Sequence, residues 1–98
     1  MPSKSYTKTR RVCRVTFTLP SEVGAETACV VGEFNDWDRE SRPMKKRKDG
    51  SFGATVSLVP GTTYRYRFLL DGMRWENDWA AEGYVRNEFG TEDSVITV

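Results

Sequence analysis

Polar and apolar residues alternate one by one along much of this chain. From Val12 to Leu19, Cys13, Val15, Phe17 and Leu19 fall on one side and Arg14, Thr16 and Thr18 on the other, the two-residue period of a strand with one buried face. Pro20 ends it. Thr27 to Phe34 is a β-branched and apolar run closed by the turn signal Asn35-Asp36, which predicts a second strand and leaves Trp37 in a loop. Phe52, Ala54, Val56 and Leu58 alternate with Gly53, Thr55 and Ser57 before Pro60-Gly61. The clearest pattern runs from Thr63 to Leu70, with Tyr64, Tyr66, Phe68 and Leu70 on the core face and Arg65, Arg67 and Leu69 opposite them. Asp71-Gly72 announces a hairpin whose returning arm carries Trp75. Glu76 to Asn87 is mostly polar around Trp79 and Tyr84, and Asp93 to Val98 reads as a last short strand.

No stretch has helical periodicity, and no repeat or linker divides the chain. Short strands separated by turns predict an all-β, immunoglobulin-like antiparallel β-sandwich of about seven short strands over residues 12–98. Polar, basic residues 1–11 read as a flexible N-terminal tail.

The hairpin decides what Trp75 can do. A two-residue Asp71-Gly72 turn pairs Phe68 with Trp75 and sends the indole into the core. A three-residue loop that includes Met73, or a bulge, opposes Leu69 to Trp75, and the indole then shares the outer face with Arg67. The second arrangement is the expected one.

Composition narrows the chemistry. Ninety-eight residues provide for one core. Charged residues make up 30%, and no apolar run is long enough to span a bilayer, so no membrane partner is expected. The basic N-terminus is not followed by the apolar stretch of a secretory signal, which points to a cytoplasmic location. Cys13 and Cys29 lie in strand-like runs, and with no histidine present neither a metal site nor a cofactor is expected. Both are expected as buried, reduced thiols. Residues 1–48 hold eleven Lys/Arg against six Asp/Glu, and residues 49–98 hold four against eight. The net charge of +1 and the acids among the aromatics argue against nucleic-acid binding by the tail and the Lys45–Lys48 run. Glu33, Asp36, Asp38, Glu76 and Asp78 are scattered on turns, so no catalytic pair of carboxylates is expected.

At Val31-Gly32-Glu33-Phe34-Asn35-Asp36-Trp37 the chain resembles the family-48 carbohydrate-binding modules. These include the early-set domains preceding the catalytic barrel of isoamylases and glycogen branching enzymes, and the glycogen-binding domain of AMP-activated protein kinase β subunits. Further matches follow in the family's order: Pro43-Met44, Gly50-Ser51-Phe52, Gly61, Tyr64-Arg65-Tyr66-Arg67-Phe68, Asp71-Gly72, Trp75, Asp78 and Asn87-Glu88-Phe89-Gly90, leading to Ser94–Val98. The resemblance implies a non-catalytic module that binds α-glucan, glycogen or starch or a malto-oligosaccharide, and the chain is expected to be a monomer. A glycogen-metabolising enzyme is a further partner it admits. It implies Trp37 and Trp75 as stacking platforms, Arg67 as the donor to sugar hydroxyls, and Phe89 where the family has a leucine that closes over the ligand. Thr91 and Asp93 then fall in the final polar loop of the site.

Those residue types suit a glucan, which offers apolar C–H faces rimmed by hydroxyls. Covering about 100 Å² of apolar surface is worth roughly 2.5 kcal/mol before ordering costs, so two stacks and one arginine predict micromolar to millimolar dissociation constants. Each residue also has a plainer role open to it: Trp37 as a packed corner, Arg67 as a solvated strand arginine, Phe89 as core. Asp93 accepts hydrogen bonds but cannot donate them, unlike the asparagine common in the family. That departure keeps open a second reading, a protein-interaction β-sandwich with a vestigial glucan site.

Overall fold

The alternating stretches are strands where the pattern puts them. The structure, a computed structural model, describes residues 2–98. Its strands are β1 (Ser3–Tyr6), β2 (Cys13–Leu19), β3 (Ala28–Gly32), β4 (Lys45–Lys46), β5 (Phe52–Leu58), β6 (Thr63–Leu70), β7 (Arg74–Glu76), β8 (Gly83–Arg86) and β9 (Glu92–Thr97), with single 3-10 turns at Ser21–Val23 and Glu33–Asn35. No helix among the described residues is long and apolar enough to cross a membrane.

Pairing is antiparallel and produces two sheets, β1-β2-β5-β4 and β3-β6-β9-β8, with β7 added to β6. They pack as an immunoglobulin-like sandwich. In the first sheet, Cys13 opposes Leu58 and Leu19 opposes Phe52, so the apolar residues of β2 and β5 share one face. In the second, Val30 opposes Phe68 and Tyr64 opposes Ile96. These two faces meet around Phe17, whose ring lies 4.8 Å from that of Tyr66 and 5.7 Å from that of Phe34.

The core holds one polar chain. The buried Tyr66 hydroxyl donates to Asp78 Oδ2 at 2.7 Å, the Asp78 N–H to Ser94 Oγ at 2.9 Å, and that hydroxyl to Asn77 Oδ1 at 2.8 Å. Burial, reinforced by the bond to Asp78, pushes the Tyr66 phenol well above its usual range and keeps it a donor. Asn77 donates in turn to the Glu92 carbonyl at 2.8 Å, which ties the buried chain to the start of β9.

Four details differ from the sequence reading. Nine strands form among the described residues, because β1, β4 and β8 are short and largely solvent-facing, and backbone pairing needs no apolar alternation. The expected tail therefore contains a strand: Ser3–Tyr6 pairs with β2, and Lys4 forms an ion pair with Glu82 beside the other sheet. The second strand ends at Gly32 rather than Phe34. A Cβ at Gly32 would lie 2.5 Å from the Arg65 carbonyl oxygen, and the chain leaves the sheet there into the 3-10 turn. Both thiols are free, but Cys29 is only half-buried on the outer side of β3, beside Pro43.

Strand β6 has a further property that matters for the site. On the edge away from β3 it pairs first with β9, over Thr63–Tyr66, and then with β7, over Phe68–Leu70. Arg67 stands at the handover between the two.

Candidate functional site

The outer face of the β3-β6-β9 sheet carries the residues singled out above, and two local turns aim its aromatics. The first follows β3. Asn35 folds back on the strand it leaves: its Oδ1 accepts the Gly32 N–H at 3.0 Å, and its Nδ2 donates to the Val30 carbonyl at 3.2 Å. The Trp37 N–H closes the turn on the Gly32 carbonyl at 2.8 Å. Asp36 and Trp37 both have a φ of 57°, the left-handed region, which a bulky residue occupies only at a cost of about 1–2 kcal/mol. That conformation lifts the indole out of the strand, and it stays 37% exposed.

The second turn is the Asp71-Gly72 hairpin. Both residues have positive φ, 53° and 69°, and the Met73 N–H donates to the Leu70 carbonyl at 3.0 Å. Positive φ at both central positions is what a tight primed turn requires. Leu70 nevertheless pairs with Arg74, so Met73 is an extra, bulged residue, and Leu69 opposes Trp75. The bulge turns Trp75 to the outer face, where it is 37% exposed. Asp71 locks the turn in place, its Oδ1 accepting the N–H groups of Glu26 at 2.8 Å and Thr27 at 3.0 Å.

Arg67 lines the groove with both tryptophans, and its guanidinium is held from one side. Nε donates to the Glu92 carbonyl at 3.2 Å and forms an ion pair with Asp93 Oδ1 at 3.0 Å. Nη2 donates to the same carbonyl at 3.0 Å and to the Thr91 hydroxyl at 2.5 Å. Nη1 has no acceptor among the described residues. Asp93 is only 6% exposed, and Arg65 approaches its second oxygen at 3.9 Å.

The loop from β8 to β9 completes the face. Asn87 organises it, with Oδ1 accepting the N–H groups of Phe89 at 3.0 Å and Thr91 at 3.1 Å, and Nδ2 donating to Asp93 Oδ1 at 3.1 Å. Gly90, at φ 81°, lets the chain reverse, and Phe89 projects from the tip, 82% exposed.

Trp37, Trp75, Arg67, Phe89 and Asp93 line one groove of about 740 Å³, and Thr91 lines a smaller hollow of about 300 Å³ that shares Arg67 and Trp75 with it. All six residues singled out from the sequence therefore meet on one face. Phe89 is not core. Trp79 and Tyr84 do not line the groove; their polar atoms bond to Glu76 at 3.2 Å and to the Asp78 carbonyl at 2.5 Å.

Arg39 and Asn87 were not among the expected residues. Arg39 comes from the loop after Trp37, and its guanidinium lies 5.5 Å from the centre of the Trp75 ring. Exposed loop residues have no periodicity to mark them, so no sequence signal pointed to Arg39. Asn87 did carry a signal, since an Asn three residues before Gly in a polar stretch is a loop organiser by chemistry.

The groove is thus lined by two partly exposed indoles, an exposed phenyl at the loop tip and one guanidinium nitrogen without an acceptor among the described residues. The array suits an uncharged ligand with flat apolar faces and hydroxyl edges, because Glu33, Glu88 and Asp93 line it with Arg39, Arg65 and Arg67 and leave its charge balanced.

Comparison with known proteins agrees with that chemistry. The family model described as "Glycogen recognition site of AMP-activated protein kinase" matches residues 14–98. Over 67 residues the chain is 36% identical to the 1,4-alpha-glucan branching enzyme GlgB of Aquifex aeolicus, covering 66% of this chain and 10% of that enzyme. Over 40 residues it is 42% identical to the protein of the same name from Oceanobacillus iheyensis, covering 39% of this chain and 6% of the relative. The chain thus spans a tenth or less of the length of these curated relatives.

Proposed function

The chain belongs to the family of the glycogen recognition site of AMP-activated protein kinase, and from that premise we propose that it is a non-catalytic module that binds α-1,4-linked glucan by stacking glucose rings on Trp37 and Trp75. The observation that carries this reading is the pair of partly exposed indoles lining one groove together with the Arg67 guanidinium. Aromatic faces supply the contact that sugar C–H surfaces need, and they lose little entropy on binding because each indole is aimed by a hydrogen-bonded turn. Nη1 of Arg67 offers two N–H groups to sugar hydroxyls. Phe89 covers the ligand from the loop tip, adding apolar contact that the free protein leaves in water.

The carboxylates in the groove act as acceptors and shape, not as an acid/base pair: Asp93 is engaged with Arg67, and Glu33 Oε1 accepts the Arg65 N–H at 2.7 Å. Binding of one short oligosaccharide is expected in the micromolar to millimolar range, with avidity on a polymer raising the effective strength. Titration with maltoheptaose or β-cyclodextrin, followed by tryptophan fluorescence or amide shifts, tests the reading. Trp37→Ala is expected to weaken binding about 10-fold or more, from the loss of one stacked surface. A wild-type protein that shows no shift at millimolar ligand, or a folded Trp37→Ala protein that binds equally well, sinks it and leaves the protein-interaction reading in its place.

A further inference from the structure

Asp93 stands out among the groove residues because it is nearly covered and its oxygens already have partners. Oδ1 forms an ion pair with Nε of Arg67 at 3.0 Å and accepts Nδ2 of Asn87 at 3.1 Å, and Oδ2 faces Nη1 of Arg65 at 3.9 Å. A side chain so engaged has little to offer a sugar. Its two close partners, however, are the residues that present the ligand-facing groups on either side of it. Arg67 presents Nη1, and Asn87 holds the loop that carries Phe89.

We infer that Asp93 is a positioning residue, which fixes the Arg67 guanidinium and the Phe89 loop as one unit and does not itself touch the ligand. The inference rests on the glucan-binding reading above. Several features converge on it. Arginine has five N–H donors in a planar fork, and holding Nε and Nη2 from one side leaves only Nη1 to turn toward the groove. The groups that do this are consecutive, the Thr91 hydroxyl and the Glu92 carbonyl as acceptors and the Asp93 carboxylate as ion-pair partner, so a single stretch of backbone entering β9 sets the plane of the guanidinium. That backbone is anchored behind by Asn77, which donates to the Glu92 carbonyl and belongs to the buried Tyr66–Asp78–Ser94 chain. The negative charge matters as well as the shape, because an ionised acceptor binds N–H groups about twice as strongly as a neutral one.

Asp93→Asn discriminates between positioning and contact. Asparagine keeps the size and gains a donor, so a residue that touched hydroxyls directly would bind as well or better after the change. A positioning residue loses the charge that fixes Arg67. The expected result is about 5-fold weaker maltoheptaose binding, with Asp93→Asn adding clearly less in an Arg67→Gln background than it costs alone, since the effects of two residues coupled by an ion pair are not additive. In the unliganded protein, Asp93→Asn should shift the Arg67 Nε–H resonance and speed its exchange with solvent, although Nε keeps its acceptor in the Glu92 carbonyl, a change that a general loss of stability would not confine to one side chain. Asp93→Ser, smaller and uncharged, repeats the test should the asparagine variant fail to fold.

Equal or tighter binding by Asp93→Asn, an additive double variant, or an unchanged Nε–H resonance each overturns the inference. Absence of any binding by the wild-type chain overturns instead the glucan reading, and the Nε–H comparison then still decides whether Asp93 holds Arg67.

Discussion

Asp71 shows how one carboxylate can serve a turn and a site together. Its oxygen accepts the N–H groups of Thr27 and Glu26, in that order the main causes that hold its carboxyl below the usual range. A depressed carboxylate pKa means that the unfolded chain takes up the proton first as the pH falls. The stabilisation from Asp71 is therefore complete above the unfolded value of about 3.9 and is lost as the pH drops through the lower folded value. Asp71→Asn keeps an oxygen acceptor and tolerates positive φ but lacks the charge, so it should lower the melting temperature modestly at pH 7 and flatten its decline between pH 4 and pH 2, the two proteins converging in acid. Melting curves across that range check this, and an equally steep decline in the variant refutes it. Trp37 is a different case at the same scale. Its aromatic character was legible in the sequence, but its left-handed φ was not, because nothing in the residue itself favours that conformation and only the Asn35 and Gly32 hydrogen bonds enforce it.

Among the elements, β2, β5 and β6 were legible because each buries one face and so alternates. β1, β4 and β8 were not, being short and mostly exposed. The hairpin from β6 to β7 lay between these extremes. Asp71-Gly72 identified the turn, while the side on which Trp75 emerges depended on the extra residue, which the pairing of Leu70 with Arg74 assigns to Met73. Met73 is largely exposed and makes the turn-closing bond through its backbone. Deleting it leaves Arg74 next to Gly72, so that a plain two-residue primed turn pairs Leu70 with Arg74 and preserves the register. The shortened protein should bind maltoheptaose within about 2-fold of the full chain, since no residue of the groove changes face. Loss of Trp75 exposure, read by acrylamide quenching, would show that the bulge itself holds the indole out.

At the scale of the whole molecule, the two sheets are joined by more than their core. Lys4 of β1 forms an ion pair with Glu82, and Glu82 Oε1 also accepts the Thr97 N–H of β9 at 2.9 Å. Burial acts against the Glu82 carboxylate, but Lys4 and the Thr97 N–H outweigh it and hold its carboxyl below the usual range. The pair is partly exposed, with about a quarter of each side chain open to solvent, so screening limits its worth to about 0.5–1 kcal/mol. For a domain of this size Lys4→Ala should lower the melting temperature by about 2–5 °C at pH 7. The gap between variant and wild type should close as acid protonates Glu82, and a gap that persists at pH 2 would mean that Lys4 acts through β1 pairing instead.

The sandwich is also divided in its use of surface. The groove occupies the outside of one sheet, whereas the outside of the other is a polar lattice of Arg14, Thr16, Thr18 and Thr55, with the Thr16 and Thr55 hydroxyls 3.1 Å apart across β2 and β5. A bound polymer chain would leave that lattice wet. It is therefore a handle: a fluorophore or an immobilising linkage introduced at Thr16 or Thr55 stands on the far side of the sandwich from the groove, and attaches to the molecule without obstructing it.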